Sequence, residues 1–214
     1  MAPTSRSTGR ASPCGLVKAS GNTIMVTRAG VPPTASARSL PGFNTPGVGF
    51  EQPFAMLEAC HERVQRTLGL LERLRAHVRD KGADDAARQA ARDVLRYFDI
   101  AAPLHHEDEE LHVFPLLLAQ GSAEVQALVH QLQRDHVCMT ADWAAARVGL
   151  QALADGTADA FSAENDAAFS CFSARYDAHI AAEEGTAYPA AVALLAPATV
   201  ADMGREMAAR RGAR

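Results

Sequence analysis

Aromatic residues are scarce in this chain, at 6% of 214 positions with a single Trp. Alanine is abundant instead, and that balance leans toward helix, because Ala has the strongest intrinsic helix propensity. Long apolar runs are absent. Nothing approaches the ~18 consecutive apolar residues that a spanning helix requires, and the stretch around 190–195 is hemmed by Pro189 and Pro197. No basic segment followed by an apolar one is visible near the start, so secretion is not indicated. Cysteine is limited to Cys14, Cys60, Cys138 and Cys171, widely spaced and without a C-x-x-C pair. Such thiols fit a reduced, cytoplasmic setting rather than a disulfide framework. A strand-like alternation, a Gly-rich phosphate loop and a G-x-S-x-G turn are also missing.

Acidic residues are missing from one region only. Residues 1–50 carry Arg6, Arg10, Lys18, Arg28 and Arg38 with no Asp or Glu, so this segment is +5; the chain as a whole is −4, which leaves −9 for residues 51–214. The segment is rich in Pro, Gly, Ser and Thr and holds no apolar period, which reads as a disordered basic leader over 1–52. An overall pI near 6.0 gives no basic footprint for nucleic acid. With 48% apolar and 21% charged residues, the remainder has the composition of a globular protein.

From Phe54 onward, apolar residues recur at spacings of three and four. A first helix carries Phe54, Leu57, His61, Val64, Leu68, Leu71 and Val78, and Gly82 stops it. A second opens at Asp84 or Asp85 and carries Val94, Phe98, Ala101, His105, Glu109, His112 and Leu116. Ser122 caps a third, with Val125, Val129, Leu132, His136, Met139, Trp143 and Leu150. The fourth, after Asp155-Gly156, carries Phe161, Phe169, Phe172, Tyr176, His179 and Glu183. Long helices joined by short turns predict an all-α, antiparallel up-down-up-down four-helix bundle over 53–196. Residues 197–214 read as a short helix, starting at a Thr199/Asp202 capping box, and a frayed basic tail at Arg210, Arg211 and Arg214.

The chemistry lies in the placement of the eight histidines. His61, His105, His136 and His179 each fall on the apolar stripe of a different helix, and Glu109 and Glu183 follow His105 and His179 by four positions. Residues i and i+4 share a helix face. A buried carboxylate costs several kcal/mol unless compensated, and a metal pair compensates two carboxylates and four imidazoles at one depth. Six ligands exceed a tetrahedral zinc site but suit two non-haem iron ions, each with two His and a share of two bridging Glu under an oxo or hydroxo bridge. A lone buried His is otherwise an ordinary core residue, and His77, His106 and His130 read as surface residues. His112 reads as a neighbour of the site or a core residue. Glu107, Asp108 and Glu110 read as a solvated face, and Cys60 as packing. A ferritin-like carboxylate set begins with Glu58/His61 and Glu109/His112 but cannot be completed, since the only Glu of the third helix is Glu124 near its start.

These residues resemble the hemerythrin-like (HHE cation-binding) family. The resemblance rests on Cys60-His61-Glu-Arg-Val, on His105-His-Glu-Asp-Glu109-Glu-Leu-His-Val-Phe-Pro115, on Asp135-His136, and on His179-Ile-Ala-Ala-Glu183-Glu followed by Tyr188-Pro189. It implies a bundle around a di-iron centre with His61, His105, Glu109, His136, His179 and Glu183 as ligands. The family's oxygen carriers have His-x-x-x-His on the third helix and an Asp five residues after the last His. Here Leu132, Thr140 and Glu184 stand at those places. The set is more similar to the family's sensing, iron-regulatory and nitric-oxide or iron-centre-repair members. The expectation is a cytoplasmic di-iron protein that binds or senses O₂, NO or peroxide, or handles iron, with no nucleic-acid or membrane partner. An enzyme for NO or peroxide detoxification or iron-centre repair, and a regulatory or structural bundle without redox chemistry, stay open beside it.

Overall fold

The computed structural model describes residues 49–213, so the expected leader lies outside the described residues except for its last positions, 49–52. Helix α1 spans Pro53–Lys81, α2 runs over 85–120, α3 spans Ala123–Ala154, α4 runs over 163–194 with a turn interrupting it at 174–175, and α5 spans Pro197–Arg210. Helix α1 packs on α2, α2 on α3 and α3 on α4, and α4 returns against α1. This is the all-α four-helix bundle expected, with α5 laid against α1; no strand occurs among the described residues.

The helix ends follow local chemistry. Gly82, at φ +84°, ends α1, and its N–H donates to Val78 O at 2.9 Å. Asp84 caps α2 by accepting from the Ala87 N–H, and Ser122 caps α3 by accepting from the Val125 N–H. Ser162 and Asn165 form a reciprocal capping box at the start of α4.

The buried residues form two apolar clusters. One holds Val64, Leu68, Phe98, Leu150, Phe172 and Tyr176, and the other Leu57, Phe114, Leu132, Tyr188 and Met207. In α1 and α3, His61 and His136 fall in sequence where the stripe passes from one cluster to the other. The histidines and glutamates of the stripes therefore form a polar belt between two dry layers.

Helices α2 and α4 depart from ideal helix at three widened turns, Tyr97–Ala101, Glu109–Val113 and Glu183–Ala187. Each is closed by an i→i+5 bond: Ala102 N–H to Tyr97 O, Phe114 N–H to Glu109 O, and Tyr188 N–H to Glu183 O. A proline follows each closing residue, at 103, 115 and 189. Proline donates no hydrogen bond to the carbonyl four residues back and its ring crowds that carbonyl; a widened turn relieves the conflict. The extra residue shifts the buried register by one. Ala101 and Leu116, expected on the apolar stripe, are only half-buried, whereas Ala102, Val113, Phe114 and Leu117 are buried.

Helix α5 also corrects the sequence reading. It begins at Pro197 rather than Thr199 and has no side-chain cap, and Asp202 pairs with Arg205 instead. Gly204 lies so close to the 49–52 segment that a Cβ there would sit 1.9 Å from Phe50 O. Arg210 and Arg211 do not fray: both reach the carboxylate of Asp108 on α2.

Candidate metal centre

The structure brings all six expected ligand residues into one buried belt. His61, His105, His136 and His179 are 2–6% exposed, and Glu109 and Glu183 are fully buried. His61 comes from α1, His105 and Glu109 from α2, His136 from α3, and His179 and Glu183 from α4. The His–Glu pairs keep α-helical i,i+4 geometry because the widened turns begin at the glutamates, after the pair is complete.

Each carboxylate faces both sides of the belt. Glu183 places Oε2 3.1 Å from His61 Nε2 and Oε1 2.9 Å from His179 Nε2, with His136 Nε2 3.8 Å from Oε1. Glu109 places Oε1 3.6 Å from His105 Nε2 and Oε2 3.4 Å from His136 Nε2. The Nε2 atoms of His61 and His105 lie 3.0 Å apart. Yet Glu109 Oε2, both oxygens of Glu183, His136 Nε2 and both ring nitrogens of His179 are buried without a hydrogen bond among the described residues. Close approach without hydrogen-bond geometry is what results when lone pairs converge on a shared point rather than on one another. Orphaned buried groups of this kind are costly in an apolar interior, and a cation removes that cost. The belt separates into two sets whose ligand atoms lie within 4.8 Å of one another: His61, His105, Glu109 and Glu183, and His106, His136 and His179.

Neighbouring acids orient the imidazoles. His61 Nδ1 lies 2.8 Å from Glu184 Oε1, and His136 Nδ1 lies 3.0 Å from Glu110 Oε1. An Nδ1–H donated outward leaves Nε2 as a lone pair aimed inward, the tautomer a metal ligand needs. Each Glu-Glu pair thus divides its work: the first carboxylate faces the belt, and the second holds the histidine of a different helix. Tyr188 donates its hydroxyl to Glu109 Oε1 and stacks on His61 with 7° between ring planes.

Burial and mutual repulsion set the proton positions. Burial, then the neighbouring His61, push His105 well below the usual imidazole range. Burial, then the charge of Glu183, push Glu109 well above the carboxylate range. Burial also works to raise Glu183, but the close approach of the His136, His179 and His61 imidazoles outweighs it and holds the group well below the carboxylate range. His61 is raised: burial works against it, but the contacts to Glu183 and Glu184 prevail.

Several sequence expectations need correction. Glu110 is not part of a solvated face, since it holds His136 and accepts from Gln133. Asp108 is fully buried and accepts from Arg210 and Arg211. His106, expected on the surface, is half-buried and stacks on His136 at 4.0 Å with 13° between planes. His112 turns to Glu206 of α5 at 2.6 Å rather than to the belt. Cys60 is buried and its thiol is pushed up by that burial, as suits packing. Tyr188, Glu110 and Glu184 were missed as site residues. The signal was present in the repetition of H-x-x-x-E-E…[FY]-P, which places the same acid and the same aromatic position in both halves.

A cavity of about 340 Å³ adjoins the belt. Its walls are mainly apolar, with Phe98, Met139, Trp143 and Phe172, and His106 and His136 line its polar side.

The family model for the hemerythrin HHE cation binding domain matches residues 52–191. An uncharacterized protein of Haemophilus influenzae is 32% identical over 162 residues, covering 76% of this chain and 91% of the relative.

Proposed function

The chain belongs to the hemerythrin HHE cation-binding family, and on that premise we propose that its buried belt holds two non-haem iron ions that bind or react with a small ligand: O₂, NO or peroxide. The carrying observation is the splitting of both carboxylates, each of which offers one oxygen to either side of the belt. One position draws on His61 and His105, the other on His136 and His179, and Glu109 and Glu183 are shared. Iron there would supply redox chemistry and an open position for a small ligand. The chain's own part is to exclude water with two apolar layers, to turn the Nε2 of His136 and of His61 inward by holding their Nδ1 with Glu110 and Glu184, and to give up the proton of Glu109 when metal enters.

The cavity beside His106 and His136 supports entry of a small molecule from that side. Cytoplasmic residence is part of this proposal; among the described residues no helix is long and apolar enough to cross a membrane. The test is metal analysis. Protein loaded with Fe(II) without oxygen is expected to hold two irons and to gain visible absorption in air. A stoichiometry of one, or loading unaffected by His105→Ala, refutes the reading. Repeated consumption of NO or peroxide with an added reductant would favour the enzyme form of it, and a single stoichiometric response the sensing form.

A further inference from the structure

The two sets of ligand atoms are unequal. One contains two imidazoles and both carboxylates, and the other contains three imidazoles, the third being His106. His106 follows His105 directly, so its side chain leaves α2 about 100° further round and reaches the belt from the cavity side. Neither of its ring nitrogens hydrogen-bonds to a protein group among the described residues, whereas His61 and His136 are tied through Nδ1 to Glu184 and Glu110. Of the belt histidines, only His106 and His136 line the cavity.

From this juxtaposition we propose that His106 is a displaceable third imidazole for the metal position formed by His136 and His179, and that a small exogenous ligand competes with it from the cavity. The inference rests on the two-metal reading above. An imidazole lone pair lies in the ring plane. Two parallel rings 4.0 Å apart therefore cannot both aim at one ion, and the ring stacked on His136 is in its parked position. Ligand nitrogens about 2.1 Å from one ion lie roughly 3–4 Å apart. The nitrogens of His106, His136 and His179 are already within 4.8 Å of one another, so a small side-chain rotation moves His106 between parked and bound. Bound, it closes the position that faces the cavity. Parked, it leaves that position to the incoming ligand. The other metal position, drawn from His61 and His105, has no equivalent imidazole.

The experiment uses the full chain and Co(II), which reports coordination number through its visible bands, with azide as the exogenous ligand. Wild type is expected to take two Co(II). His106→Ala should keep one Co(II) at wild-type affinity and weaken the other by about ten-fold or more. Its remaining bands should shift toward lower coordination, and azide should bind more tightly because nothing must be displaced. Free imidazole, admitted to the enlarged cavity, should restore the second affinity in His106→Gly. If His106→Ala fails to fold, His106→Gln replaces it and is expected to show the same weakening. A folded variant with wild-type affinity for both Co(II) and an unchanged azide response overturns the proposal while leaving the two-metal reading intact. A wild type that takes fewer than two Co(II) defeats both.

Discussion

Replacing Asp108 with Ala tests whether α5 is clasped to the bundle through a buried charge. The Asp108 carboxylate is fully buried and accepts from Arg210 Nη2 at 2.6 Å and from Arg211 Nη1 and Nη2 at 3.1 and 2.5 Å. Removing one member of a buried ion group costs about 3–5 kcal/mol, because the partners stay desolvated without their counter-charge. Here the arginines have some relief: both side chains are 18% exposed, and Arg210 keeps Glu206 and Glu107. The expected loss is therefore at the low end, about 3 kcal/mol. For a domain of this size that corresponds to a Tm lowered by about 6–12 °C. The assay is thermal and urea unfolding of metal-free protein at pH 7, followed by far-UV circular dichroism. Arg211→Ala should cost less, about 1.5–3 kcal/mol, and the double variant should cost clearly less than the sum, because both changes remove the same contact. A loss below about 1 kcal/mol for Asp108→Ala, or strict additivity in the double variant, would refute the clasp.

Tyr188→Phe removes the hydroxyl that donates to buried Glu109 and should lower apo stability by about 1–2 kcal/mol, read as the urea midpoint; an unchanged midpoint contradicts the role given to that bond. Gly204→Ala forces a Cβ into the Phe50 carbonyl and should loosen α5 from the 49–52 segment, seen as faster amide exchange in α5; wild-type protection would mean the close approach is dispensable. Glu206 is held down at about 2 by its hydrogen bond from Arg210, with His112 adding to the effect. A depressed carboxylate contributes stability above its unfolded pKa of about 4.3 and loses it as pH falls toward 2. Glu206→Gln should accordingly flatten the loss of stability between about pH 4 and 2, and an identical acid profile would oppose this. All three tyrosines, Tyr97, Tyr176 and Tyr188, are pushed up by burial. Their neutral forms stabilise the fold at and below about pH 10 and lose that contribution above it, so phenolate absorbance should appear only together with unfolding; a tyrosine titrating near pH 10 in folded protein would contradict their burial.

Much of the site was legible in the chain because a helix converts spacing into direction. His105 and Glu109, and His179 and Glu183, had to share a face, and an apolar stripe had to turn that face inward. The same logic failed just beyond each glutamate, where the widened turns add a residue and move burial from Leu116 to Leu117. Proline at 103, 115 and 189 was the visible cue, but a proline is compatible with a kink, a break or a wider turn. Asp108 and Glu110 were misplaced for another reason. They stand in an acidic run, with Glu107 beside them, that reads as a solvated face, and their partners, Arg210, Arg211 and His136, are distant in sequence.

Local periodicity, turn chemistry and the depth of four histidines were thus determined by the sequence alone, since they depend on residues within a few turns of one another. Only the tertiary structure could decide which helix faces meet. It placed Glu184 on His61 and Glu110 on His136, turned His112 away to α5, brought Tyr188 onto Glu109, and folded His106 over the cavity. Those contacts join residues dozens of positions apart, and they follow from the rotation and offset between packed helices, which no single-helix pattern encodes.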